Sequence, residues 1–437
     1  MDVGRPANPG RTKSHTWSQL SNDRFIPARK AFNRQPDFSL CESSGDETGG
    51  HLIPHALSSG DQTRASRHQL AKPSALEFYR EIFRPNVADP LEGLGLLKRS
   101  EKKEGRKNKF VLPAISFKIL DAPDLADDFF TSLFELSSKD AIAVSLSDCL
   151  YVQSSSASQP TKLYEAFSCE AITSICWDPE GARIGVGNAL GQVSVWDAEK
   201  CAEVFSFEAF GESKVCALGW GNLMAAGGAD GTVLAFDPRE SGRACAKFTG
   251  HRGEVCAVKW SSDRQFLASA GADCRVQVSC VGEAAPALVG THRAAVRALA
   301  WSPVQHGVLA TGGGIADKTI KLWSVRGQDP LASRETGSQV CSLAFSKLSN
   351  DLVSGHGGPT NEITFWRTRG LKKIGSIESH AERVLYLQFS STGNDLVSAS
   401  SDETIRFWRA YSEDMREKLP RLSPPHKPPG LQAHLMR

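Results

Sequence analysis

Beyond residue 110, apolar and polar residues alternate in short runs that read as strands rather than helices. Six runs share one form: ITSICW from Ile172, VCALGW from Val215, VCAVKW from Val255, VRALAW from Val296, VCSLAF from Val340 and VLYLQF from Val384. Their successive spacings are 43, 40, 41, 44 and 44 residues. Each run leads into a second strand of the type LASAG, LATGG or LVSAS, and then an Asp- or Gly-centred turn such as GADG or SSDE. A third strand follows, ending in VSVWD, TIKLWS, EITFWR or TIRFWR. A unit of about 40 residues cannot bury its own apolar face, whereas a ring of such units can, so the period is that of propeller blades. Ahead of the first repeat, DDFFTSLFEL, AIAVSL and CLYVQS within residues 127–154 supply three more strand candidates. The pattern predicts an all-β, seven-bladed propeller over residues 111–414.

Small features refine that reading. Gly250-His251, Thr291-His292 and Ser379-His380 fall just before the next inner run, where the Gly-His pair of a WD repeat falls. In that architecture the His is expected to be a buried hydrogen-bonding residue, not a metal ligand or a catalytic base. Eight of the nine Trp lie beyond residue 170 and are expected to fill space between the blade sheets. Eleven Cys occur without any CxxC spacing, and six of them (Cys149, Cys176, Cys216, Cys256, Cys280, Cys341) sit in or beside apolar runs, as small hydrophobes do. No GxxxxGK[ST], GxSxG or HExxH is present, and the glycine run at residues 312–314 reads as a blade turn. The expectation is a binding platform without cofactor or metal, and not an enzyme.

Charge divides the chain where the pattern does. Residues 1–110 carry 19 Lys and Arg against 13 acids, while the remainder carries 32 against 36, so a basic tail precedes a mildly acidic body. Stretches such as CESSGDETGGH and SSGDQTRASRHQ bury too little apolar area to offset chain entropy, and the tail is expected to stay largely disordered. Residues 415–437 form a second, short tail. No apolar run approaches the roughly 18 residues of a membrane span, and the first 30 residues lack a secretory apolar core, so a soluble intracellular protein is expected, with no membrane or nucleic-acid partner. Within the tail, DRFIPARK (residues 23–30) places Phe25, Ile26 and Pro27 between Arg24 and Arg29. That is the form of an extended docking motif, although a chance basic and apolar patch has the same form.

These residues carry a family likeness. DRFIPARK resembles the C-box, and KILDAPDLADDFF (residues 118–130) resembles the segment by which Fizzy and Fizzy-related co-activators of the anaphase-promoting complex (the cyclosome) lead into their propeller. AAVRALAWSPVQHGVLATGGGIADKTIKLW, GSQVCSLAFSK and RVLYLQFSSTGNDLVSASSDETIRFW extend the similarity over nearly the whole chain, with HGVLATGGG and TGSQVC nearer the Fizzy-related branch. The resemblance implies a non-enzymatic adaptor, monomeric outside the ligase, in nucleus and cytoplasm, that presents degron-bearing substrates such as cyclins. A WD scaffold for some other assembly is the alternative. The implied ligase contacts are the C-box (Asp23, Arg24, Phe25, Ile26, Pro27, Arg29) and the C-terminal dipeptide, Met436-Arg437 here in place of Ile-Arg. Met matches Ile in volume, a swap that usually costs under about 1.5 kcal/mol. GLLKRS (residues 95–100) resembles a further tail contact, and the cationic run over residues 98–109 also reads as a nuclear import signal.

The resemblance further implies two degron sites. For the destruction box, Asp128 and Glu403 are the acids expected to hold the degron's Arg, with Asp127 as substitute for Asp128. For the KEN box, Gln339, Asn361 and Arg383 stand where the family has polar contacts. Ala272 and Cys274, however, replace two Asn of the family's GGNDN turn, and Ile315 replaces a Thr. Destruction-box substrates are therefore expected to be favoured. Fizzy-related tails also carry Ser-Pro and Thr-Pro kinase sites. Residues 1–110 contain none, leaving only Ser302-Pro303 and Ser423-Pro424, so inhibition by proline-directed kinases through the tail is not expected.

Overall fold

The computed structural model describes residue 112 and residues 115–411, apart from 156, 158, 167–169, 240–243, 281–285, 326, 328 and 379. The tail features at residues 23–30 and 95–109, and the C-terminal Met436-Arg437, lie outside the described residues. Seven four-stranded antiparallel sheets make up the described part. Each of the six aligned runs is the innermost strand of a blade: Ile172–Trp177, Val215–Trp220, Val255–Trp260, Val296–Trp301, Gln339–Phe345 and Val384–Phe389 head blades 2 to 7 in turn. Blade 1 is Phe134–Leu136, Ile142–Leu146, Cys149–Gln153 and Thr161–Glu165. Innermost strands of neighbouring blades pack side by side, the first against the seventh included, which closes the ring.

The ring shuts by strand exchange between chain ends. Lys118–Asp121 is the outer strand of blade 7 and pairs with Thr404–Arg409, Lys118 opposite Phe407 and Asp121 opposite Thr404. Sheet hydrogen bonds thus join the start of the propeller to its end. One strand expectation needs correction: of DDFFTSLFEL only Phe134–Leu136 is strand. Residues 127–133 run irregularly because their backbone is bound elsewhere, the Leu133 N–H by the Tyr386 hydroxyl (3.0 Å) and the Thr131 carbonyl by Arg297 (2.6 Å).

Two recurring devices set the blade geometry. At the second residue of each aligned run, which is the third residue of the longer strand Gln339–Phe345, blades 2 to 7 all carry a bulge, seen as register shifts such as Val215/Ala217 and Val296/Ala298. A bulge leaves one residue unpaired and turns its side chain out of the ladder. The other device is a close approach between blades: a Cβ on Gly187 or Gly227 would lie 2.6 Å from Cγ1 of Val215 or Val255, the first innermost residue of the following blade. Glycine there lets adjacent sheets meet at van der Waals distance.

The WD histidines behave as expected. In blade 5, Trp323 Nε1 donates to Thr311 Oγ1 (2.7 Å), which meets His292 Nε2 (2.6 Å), while Nδ1 meets Asp317 Oδ2 (2.6 Å). Blade 7 repeats the chain with Trp408, Ser398, His380 and Asp402. A neutral histidine completes this chain, with Nδ1–H donating to the carboxylate and Nε2 accepting from the hydroxyl that itself accepts the Trp N–H. Burial lowers the His292 and His380 pKa, and the hydrogen bonds from their His partners help hold Asp317 and Asp402 below the usual carboxylate value. Blade 4 keeps His251, Asp273 and Ser269 but has Ser279 at the Trp position. In blade 6 Thr336 takes the His position, and His356 from the second strand bonds Ser354 instead (2.7 Å).

Candidate functional site

In an antiparallel four-stranded blade, the turn between second and third strands opens at the same end as the connection to the next blade. Every candidate degron residue of the propeller stands at that end. Asp127 and Asp128 lie between the closing strand and blade 1; Ala272, Ile315, Asn361 and Glu403 lie in second-to-third turns of blades 4 to 7, as does Cys274. Gln339 opens the innermost strand of blade 6, and Arg383 immediately precedes that of blade 7. The candidates thus form one face with two distinct parts.

The first part is the junction of blades 7 and 1, where charge is held in place. Arg383 Nε donates to Asp127 Oδ1 (2.8 Å), and its Nη2 reaches the same oxygen (2.7 Å) and the Asp127 carbonyl (3.0 Å). The Asp127 carboxylate beside it raises the Arg383 pKa. Asp127, the substitute acid for the destruction box, is therefore already bound to Arg383, a residue assigned to the KEN site. Asp128 takes the Phe130 N–H on one oxygen (2.8 Å). Glu403 sits in a left-handed turn (φ 60°), and its carbonyl accepts from Ala122 N (2.7 Å) while Oε1 accepts from Asp124 N (3.3 Å). The sheet register sets Asp121 opposite Thr404, the residue after Glu403, so Asp121 as well as Asp124 stands beside Glu403. LDAPDLADD offers four Asp within eight residues, from which sequence reasoning took Asp128 and Asp127, and the register adds Asp121 as a further candidate.

Beside the junction, blade 6 supplies the neutral polar contacts. Gln339 is buried against Gly357, where an added Cβ would come within 2.9 Å of Arg383 Cδ and 3.1 Å of Gln339 Oε1. Asn361 adopts φ 46°, donates Nδ2 to the Ala381 carbonyl (2.8 Å), and keeps its buried Oδ1 without a partner.

The second part, the rim of blades 4 and 5, has apolar side chains at its three candidate positions, among the charged Arg252, Asp273, Arg293 and Lys318. Ile315 is 66% exposed and Ala272 is exposed, next to the half-buried Cys274 at φ 64°. Burial and then the Asp273 and Asp317 carboxylates raise the Cys274 thiol pKa, so this side chain offers no thiolate. Among the described residues no group of three His, Cys, Asp or Glu has the arrangement of a metal site. The surface is suited to holding a peptide.

Residues 120–408 match the CDC20/Fizzy WD40 domain model. The chain is 35% identical over 433 residues to Protein FIZZY-RELATED 2 of Arabidopsis thaliana, covering 94% of this chain and 88% of that one. It is 34% identical over 410 residues to Cell division cycle 20.1, cofactor of APC complex, also from Arabidopsis thaliana, covering 90% and 88%. A chain in the crystal structure of the mitotic checkpoint complex superposes with a TM-score of 0.67 at 32% identity, over 72% of this chain and 97% of that chain. A seven-bladed WD propeller matched over its whole ring, with a closing strand drawn from the KILDAPDLADDFF segment, is an adaptor platform and not an enzyme, and this chain belongs to the CDC20/Fizzy family.

Proposed function

We propose that this protein is a substrate-recognition co-activator of the anaphase-promoting complex ubiquitin ligase, binding degrons on the face described above and docking through its two tails. The observation that carries the reading is the gathering of all the propeller's candidate degron residues at one end of the ring, in a chain 34% identical to a relative whose name is a cofactor of APC complex. Glu403 with Asp121, and Asp128 further along the same segment, supply acids for a degron Arg. Charge-assisted hydrogen bonds of that kind are worth about 1.5–3 kcal/mol. The apolar Ala272, Cys274 and Ile315 favour destruction-box over KEN-only substrates, since a KEN side chain would meet too few hydrogen-bonding groups there. The basic run over residues 98–109 supports residence in nucleus as well as cytoplasm.

The test is a pull-down from extract with the intact chain, a version lacking residues 23–30 and a version lacking Met436-Arg437. The intact chain is expected to recover ligase subunits and the first deletion to lose them, with a smaller loss from the second. Equal recovery by all three would overturn the reading.

A further inference from the structure

Arg297 is the bulged second residue of the innermost strand of blade 5. Its counterparts in the other bulges are Thr173, Cys216, Cys256, Cys341 and Leu385, none of which is charged. The Cys216 and Cys256 thiols reach only the carbonyls of Lys214 and Glu254, each at 3.5 Å, and the Thr173 hydroxyl reaches those of Gly187 (3.0 Å) and of Val215 in the adjoining blade, so none of these spans more than one neighbouring blade. Arg297 instead crosses the ring. Nη1 donates to the carbonyls of Cys341 (3.0 Å) in blade 6 and Leu385 (2.8 Å) in blade 7, and Nη2 donates to that of Thr131 (2.6 Å), ahead of blade 1. The guanidinium also lies over the Tyr386 ring (4.7 Å to the centroid) and the Phe129 ring (5.9 Å).

Arg297 is only 8% exposed, and among the described residues no carboxylate pairs with it. A buried cation needs compensation, which carbonyl dipoles and aromatic faces supply here. The choice of carbonyls is what matters. Cys341 is two residues after Gln339, Leu385 is two after Arg383, and Thr131 is three after Asp128, whose carbonyl also accepts from Thr131 Oγ1 (3.4 Å). Tyr386 reinforces one arm by donating its hydroxyl to the Thr131 carbonyl (3.2 Å) while accepting from Leu133 N. One side chain therefore ties together the three backbone segments that carry Gln339, Arg383, and Asp127 with Asp128.

We infer that Arg297 is a positioning residue, bracing the residue 127–133, 339–341 and 383–387 segments from inside the ring so that both degron sites keep their geometry. The inference rests on the degron-binding reading for its functional consequence, but the brace itself is testable without it.

Hydrogen exchange on the full chain would be compared for wild type, Arg297→Met, Arg297→Lys and Leu267→Ala, a core truncation in blade 4 that serves as a control for general destabilisation. Arg297→Met is expected to speed exchange about tenfold or more in those three segments and to weaken both RxxL and KEN peptides about tenfold. Arg297→Lys, keeping the charge but not the fork, should fall between. Leu267→Ala should loosen blades 3 and 4 and leave RxxL affinity unchanged. Exchange in the three segments no faster in Arg297→Met than in Leu267→Ala would overturn the inference, and if Arg297→Met does not fold, Arg297→Lys decides on the same criterion. A wild type that binds neither peptide would sink the degron reading, with the exchange result still deciding the brace.

Discussion

The blade 7–1 junction and the blade 4–5 rim stand on the same scaffold and differ almost wholly at the surface. Both rest on a buried Trp, hydroxyl, His and Asp chain or its partial form: His380 and Asp402 lie beneath the first, and His251, Asp273, His292 and Asp317 beneath the second. Above that layer, the junction holds Asp121, Asp124, Asp127, Asp128, Glu403 and Arg383, fixed by cross-strand register and a multidentate ion pair. The rim presents Ala272, Cys274 and Ile315 on turns of the same kind. The contrast teaches that the scaffold dictates where turns emerge and not what they recognise: the Asp of each blade's network is spent on holding its turn, and only residues beside it are free to vary.

The largest expected effect comes from making the rim resemble a polar surface. Each buried degron group left without a partner costs about 1–3 kcal/mol, so three restored partners act on affinity by orders of magnitude. The combined Ala272→Asn, Cys274→Asn, Ile315→Thr variant is expected to bind a KEN peptide at least 100-fold more tightly than the wild type, measured by fluorescence anisotropy. RxxL affinity should not move. Tight KEN binding by the unmodified protein would break the contrast outright.

Acid offers a way to sharpen it, because pH acts on the common layer. Burial lowers the pKa of His292, His356 and His380, that of His356 to about 4. A group with a depressed folded pKa stabilises above its unfolded value, near 6.5 for His, and that stability is lost as pH falls toward the folded pKa. For His356 the window is therefore pH 6.5 down to about 4, at roughly 3 kcal/mol over its full span. Asp317 and Asp402, also lowered, reinforce the loss at lower pH still. Urea unfolding at pH 7 and 5 should show the fall, and His356→Gln should make it smaller. A pH-independent midpoint would show that the buried histidines are not neutral in the fold.

How far the sequence reaches follows the same division. The innermost strands were legible because extensive burial leaves a mostly apolar run ended by Trp or Phe, and six such runs repeat. The outer strands were not, since a strand such as Ala202–Glu208 is largely exposed and little distinguishes it from a loop. The closing strand Lys118–Asp121 was hidden for a further reason: its partner lies nearly 290 residues away, at Thr404–Arg409, and no local pattern reports that pairing. Asp121 could have been found by treating KILD as a strand and counting its register from Glu403. Arg297 carried a visible signal, a cation where the aligned runs have Thr, Cys or Leu, but what it touches is set by the ring.

The junction's own charge gives the next effect. Glu403→Ala and Asp121→Ala are each expected to weaken an RxxL peptide about 10- to 100-fold, within the roughly 1.5–3 kcal/mol of a charge-assisted hydrogen bond. Asp127→Ala should do less to the RxxL peptide, because its carboxylate is committed to Arg383, and more to the KEN peptide, because Arg383 loses its anchor. If Asp128→Ala rather than Asp121→Ala carries the RxxL loss, the acid beside Glu403 in register is not the one that matters.

The smallest expected effect is that of a proline-directed kinase. A phosphate carries about −1.5 to −2 charges, and beside the acidic junction it would oppose a neighbouring acid and compete for Arg383. The chain gives such a kinase little to work on. Residues 1–110 have no Ser-Pro or Thr-Pro. Ser302 is 5% exposed, at the end of the innermost strand of blade 5 away from the degron face, and its Oγ accepts from Gln305 N (3.0 Å) and bonds Asn350 Oδ1 (3.0 Å). Phosphorylating it would break a buried turn. Treatment with an active mitotic kinase is therefore expected to leave RxxL affinity and recovery of ligase subunits unchanged within error, with phosphate at proline-directed sites confined to Ser423 and absent there in Ser423→Ala. Loss of ligase recovery through tail phosphorylation would mean that charge added far from the propeller reaches the docking contacts after all, and the junction would no longer be the charge-sensitive part of the molecule.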